Sequence, residues 1–216
     1  MRQTARMFMM HPVLEVFPPG DFALWPVAAV ERYGYLPLSG RLDTAEVGTA
    51  VMRIADYNDP DPEEDGCTPR PADPVGAFLH GLLTVDTPLA PGGLRVTDTA
   101  TGAALLPGCC NGLEEWRAWL QVLDGDGQAW FGHDPAPHAE RHGGTVRLTA
   151  DADREDSPVI DLSAAELRRL LTGAERGLAD FLQLAADWAV RHLPGHAAGV
   201  TAVLARCLDL PGLAAH

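Results

Sequence analysis

Lysine is absent from this sequence. All 16 basic residues are arginines, set against 30 aspartates and glutamates, and the formal net charge is −14. A chain this acidic is repelled by phosphate backbones and anionic membranes, which argues against nucleic-acid and membrane-surface binding and towards a basic protein partner. The same charge also serves solubility. Aromatic residues make up only 6% of the chain, and alanine, leucine and glycine dominate instead. No stretch of about 18 uncharged apolar residues occurs, so no transmembrane helix is expected. The apolar start at Met7–Met10 is broken by His11, Pro12 and Glu15 before a secretory leader can form, and a cytoplasmic location is expected. The four cysteines, Cys67, Cys109, Cys110 and Cys207, need no pairing there. A chain of 216 residues buries about 70% of the surface it exposes unfolded, so it needs neither disulfide nor metal to fold. No GxGxxG, Walker loop, HExxH, GxSxG or CxxC is present, which removes the common nucleotide, zinc-protease and serine-hydrolase signatures.

What is present reads as alternating punctuation and apolar pattern. Residues 7–17 suit a strand closed by Pro18-Pro19-Gly20, and Val47 to Ala55 suits another. From Asp56 to Asp65 come six acidic residues and two prolines, with Pro69, Pro71 and Pro74 beyond. Like charges and missing backbone donors predict an acidic, Pro-rich loop near 56–74. Residues 94–97 and 103–106 flank a Gly-containing turn and predict a hairpin. Asn111 and Glu114 form an approximate capping box for a helix carrying Leu113, Trp116, Leu120 and Leu123, ended by Asp124-Gly125-Asp126-Gly127. Strands are predicted at 128–133, 145–149 and 159–162, with a polar loop over 134–144. Ser163 and Glu166 cap a long amphipathic helix that Pro194 stops, and a last helix carries Val200, Val203, Leu204 and Cys207. The order predicts a single α+β domain over 1–216, with an antiparallel or mixed sheet, a central helix and two C-terminal helices.

Two chemistries are encoded locally. Cys110 stands before a helix start, where dipole and free N–H groups favour a thiolate, and His133 with Asp134 supplies the base and orienting acid of a nucleophilic cysteine. The same residues, with Cys67, Cys109, His138 and His142, are metal-ligand types. The three histidines stand at spacings of five and four in a loop, but structural zinc sites usually pair such ligands with C-x2-4-C, no CxxC exists and adjacent cysteines make a poor chelating pair, so no metal or other cofactor is expected. Asp124-Gly-Asp126-Gly starts like a calcium loop, but its twelfth position is Pro135, not an acid. Glu114, Glu115 and Trp119 predict a protein-binding face if Trp119 lies at the edge of its helix.

The stretches Gly108-Cys-Cys-Asn-Gly-Leu-Glu-Glu-Trp-Arg-Ala-Trp119 and Trp130-Phe-Gly-His-Asp-Pro135 resemble a group of uncharacterised acidic proteins from high-GC actinobacteria. The order of the Trp130 strand, polar loop, 145–149 strand, 159–162 strand and helix with Asp180-Phe181-Leu182 is also similar to the SUKH superfamily of immunity proteins. That resemblance implies an acidic α+β protein that neutralises a toxin. The expectation is thus a non-enzymatic binding module, immunity- or antitoxin-like. It would mask a basic partner through Asp61, Glu63, Glu64 and Asp65 together with Glu114, Glu115 and Trp119. The alternative is a cysteine- or metal-dependent enzyme using Cys110, His133 and Asp134.

Overall fold

Asp43 decides the conformation of the residues after it. Its carboxylate accepts from the N–H groups of Ala45 and Glu46, both at 2.9 Å, and Glu46 Oε2 accepts from the Asp43 N–H at 2.8 Å. This complete capping box starts helix α1, Thr44–Tyr57. A strand predicted over 47–55 is therefore corrected to helix. Residues 47 to 55 are all buried, and a short apolar run that is buried all round has no period to distinguish strand from helix. Asp73 acts in the same way: it accepts from the Gly76 N–H at 2.6 Å, and Pro74 occupies the first turn of α2, Pro74–Thr84. The ends of the predicted 56–74 loop are thus helix termini.

The computed structural model describes residues 7–59 and 69–212. Asp61, Glu63, Glu64, Asp65 and Cys67 lie outside the described residues. The fold is α+β, with two antiparallel four-stranded sheets. One has the order β2-β1-β3-β4, from Phe8–Val16 (β1), Gly34–Pro37 (β2), Gly92–Asp98 (β3) and Ala104–Leu105 (β4). The other runs β5-β6-β7-β8 through Gln128–Trp130, His138–His142, Thr145–Thr149 and Val159–Ser163. Short α3 (Ala118–Asp124), long α4 (Ala164–His192) and α5 (Ala197–Cys207) complete it.

Three further expectations are corrected. The 134–144 loop contains β6, which the alternation around Ala139 builds: Ala139 faces Leu148, which faces Ile160, and all three are buried. The strand predicted to 133 ends at Trp130. The helix expected from Asn111 is broken into a 3-10 turn, Leu113–Glu115, and α3. Asn111 does not cap it, because its side-chain amide donates to Gly92 O at 2.6 Å.

The chain divides into two compact units, 1–13 with 92–177 and 14–91 with 178–216. In the first, Trp119 lies flat on Phe131, with centroids 4.0 Å apart at 12°, and Ala139, Val146, Leu148, Ile160 and Leu162 of the second sheet are buried. Trp119 is 1% exposed. The expectation that it sits at a helix edge is overturned, since the ring that completes its stack comes from a segment distant in sequence. In the second, Trp25 and Trp188 meet edge to face. Their ring N–H groups donate to Gly48 O at 2.9 Å and Thr44 O at 3.0 Å, so α1 is held at its start and middle.

Candidate functional site

The segment after β4 and the segment after β5 run side by side. Gly108 N–H donates to Phe131 O at 2.8 Å, Cys109 N–H to His133 O at 2.6 Å, and His133 N–H to Cys109 O at 3.1 Å. Two glycines permit this approach. A Cβ on Gly108 would stand 2.3 Å from Pro135 O, and one on Gly132 (φ 102°) would stand 2.6 Å from Cys109 O. From the other side, Asn111 clamps the end of the segment to β3, through its amide on Gly92 O and the Gly92 N–H on Asn111 O.

Consecutive residues of extended chain point to opposite faces. Cys110 escapes that rule because its φ is +62°. Its Sγ lies 3.5 Å from that of Cys109, and no disulfide joins them. The two sulfurs therefore lie side by side, at a separation one ion could span. Two thiolates on one tetrahedral zinc lie about 3.8 Å apart, given Zn–S bonds of about 2.3 Å. With one nitrogen of His133, the two sulfurs form a group of three ligand atoms within 4.8 Å of one another. The group is exposed.

His133 carries the carboxylate that metal-binding histidines use. Its Nδ1–H donates to Asp134 Oδ2 at 3.1 Å, which leaves Nε2 for a ligand. Asp134 is held at φ 47° after the Gly132-His133 pair. The electrostatics agree with this arrangement. The hydrogen bond to Asp134, then that to Cys110, raises the His133 imidazole above its ordinary pKa. The hydrogen bond from His133, then that with Cys109, lowers the Cys110 thiol.

The structure thus brings Cys110, His133 and Asp134 together, and adds Cys109. His138 and His142 stay apart from it: His138 lies on Trp130, centroids 4.3 Å apart, and His142 Nε2 is 3.3 Å from Glu140. Glu115 is exposed and Glu114 half-buried, while Trp119 offers no surface. In the sequence Cys109 is a ligand type set aside because it adjoins Cys110, and the left-handed turn at Cys110 is what the sequence does not display. No helix among the described residues is long and apolar enough to cross a membrane. No family model, curated protein or solved structure matches the chain.

Proposed function

We propose that this is a metal-dependent protein whose working centre is Cys109, Cys110 and His133, holding a zinc-class divalent cation. The observation that carries the reading is the convergence of two sulfurs and an imidazole within 4.8 Å on an exposed surface, with Asp134 on the far nitrogen of the ring. Two thiolates and an imidazole select a thiophilic, tetrahedral ion over magnesium or calcium. Three protein ligands leave one position for water or a substrate atom, as in catalytic rather than structural zinc sites. A bound ion there would polarise that fourth ligand, and Asp134 would hold the ring in the tautomer that binds it.

A second reading draws on the same contacts. A Cys110 thiol bonded to His133, itself bonded to Asp134, has the order of nucleophile, base and orienting acid. The basic-partner module draws on the net charge of −14 and on acidic residues outside the described ones, and burial of Trp119 removes its aromatic anchor.

Cobalt titration of the reduced, chelator-treated protein tests the first reading. One equivalent should give sulfur-to-cobalt charge-transfer absorption and a tetrahedral visible envelope, both displaced by zinc. Cys110→Ser and His133→Ala should each abolish the tetrahedral spectrum. A spectrum of free aqueous cobalt with the folded wild type would reject the metal centre and leave the nucleophile.

A further inference from the structure

A second candidate site lies in the unit 14–91 with 178–216, independent of the metal reading. Arg53 is buried, with its side chain 10% exposed. Its Nε donates to Glu15 O at 3.2 Å and its Nη1 to Asp56 Oδ2 at 3.4 Å. The guanidinium lies over the Phe17 ring at 4.6 Å and the Tyr57 ring at 5.2 Å. Nη2 makes no hydrogen bond among the described residues. A cavity of about 290 Å³ opens beside it, walled by Phe17, Phe22, Met52 and Phe78. Phe22 and Phe78 meet edge to face at 5.1 Å.

The lining of this cavity combines apolar and aromatic side chains with one cation and one anion. A guanidinium held between aromatic rings, with Nη2 still open to solvent, favours a carboxylate, which it binds in fork geometry. Asp56 constrains the choice. It is 65% exposed and only loosely engaged by Arg53, so its charge faces whatever enters. A simple anion would bind beside that carboxylate, and a simple amine beside the guanidinium. A molecule carrying both charges on one carbon meets each with its opposite.

We propose that this cleft binds a free α-amino acid with an apolar side chain. Its carboxylate would rest on Arg53, its ammonium on Asp56 and its side chain among Phe17, Phe22, Met52 and Phe78. The volume is at the lower end for ligand pockets, which suits one such molecule and not a peptide.

Calorimetry and tryptophan fluorescence test this with L-phenylalanine, 3-phenylpropionate and 2-phenylethylamine. The buried Trp25, 4.8 Å from Phe22 and 5.6 Å from Phe78, is the reporter. Phenylalanine should saturate one site, and each single-charge analogue should bind at least about tenfold more weakly. Phenylpropionate binding as tightly as phenylalanine overturns the proposal, as does the absence of saturation by phenylalanine at about 1 mM. Asp56→Asn, at an exposed position that leaves the fold intact, should weaken phenylalanine about tenfold and spare phenylpropionate. Unchanged phenylalanine affinity in that variant overturns it. Arg53→Met, checked by its melting curve, should abolish binding of both.

Discussion

His133 Nδ1 lies 3.1 Å from Asp134 Oδ2, a contact between sequence neighbours on an exposed turn. Its consequence is directional: it commits one ring nitrogen to a carboxylate and leaves Nε2 as the nitrogen available to a ligand. An amide in place of the carboxylate keeps the shape and loses the charge that enforces this tautomer. Asp134→Asn should therefore weaken zinc binding by about 10–100-fold, read by competition with a chromophoric chelator. An unchanged affinity would show that the contact does not orient the ring.

The glycines that let the two segments touch give a second expectation. Gly132→Ala must strain φ 102° and also drive a Cβ to 2.6 Å from Cys109 O. The strain alone costs about 1–3 kcal/mol, and the clash falls on backbone, which cannot rotate away. Thermal unfolding should drop and the tetrahedral cobalt spectrum should disappear. Gly127→Ala is the control: its φ is 88°, but its nearest neighbour is 3.7 Å away. It should lose stability and keep the spectrum.

These two cases show what the sequence displays and what it conceals. Cys110, His133 and Asp134 were legible as a group because their residue types carry chemistry. Their meeting depends on Gly108 and Gly132, whose role is to be small at a backbone crossing, and no local pattern marks that. The hairpin of β3 and β4, the strands β7 and β8 and the helices α4 and α5 were legible from turn residues, alternation and caps. Helix α1 was misread because residues 47–55 are buried on every side, though Asp43 and Glu46 held the capping signal. Strand β6 was hidden because only Ala139 marks its buried face, among histidine, glutamate and arginine. Trp119 was misplaced because Phe131, which covers it, is supplied by tertiary structure.

Protection of the thiols separates the two readings of the site. With zinc bound, Cys109 and Cys110 should resist iodoacetamide, while the chelator-treated protein should alkylate at both. Buried Cys207 should stay unmodified in either state until the protein is unfolded. Mass spectrometry of the peptides gives the result. Equal labelling with and without zinc would favour the nucleophile.

The pairing of Trp130 with His138 supplies a pH-dependent signal. Among the described residues His138 Nε2 is a buried atom without a hydrogen bond, and burial lowers the imidazole below its ordinary pKa of 6.5, partly opposed by Glu140. The unfolded chain therefore takes up this proton more readily than the folded one. The sign follows: the stability linked to His138 is fully present above pH 6.5 and is lost progressively as pH falls through the folded-state value. Protonation against the indole should also quench Trp130, which is 57% exposed. The difference in fluorescence between wild type and Trp130→Phe should fall below pH 6.5, and His138→Gln should flatten both this titration and its share of the stability profile.

Two glycine-to-alanine changes in helices should act with opposite signs. Alanine gains roughly 1 kcal/mol over glycine in a helix interior from propensity alone. At Gly173 in α4 nothing lies within 4 Å of the new Cβ, so this gain should appear in full as higher stability. At Gly48 in α1 the Cβ would stand 2.0 Å from Pro26 O and 3.0 Å from Trp25 Cδ1. Overpacking costs about 1–3 kcal/mol or more, and the group displaced is backbone. It also disturbs the Trp25 Nε1–H bond to Gly48 O, so the loss should exceed the propensity gain. Denaturant midpoints should move up for Gly173→Ala and down for Gly48→Ala. A stabilised Gly48→Ala would mean that the segment at Trp25-Pro26 yields, and that the aromatic cluster it carries is not fixed to α1.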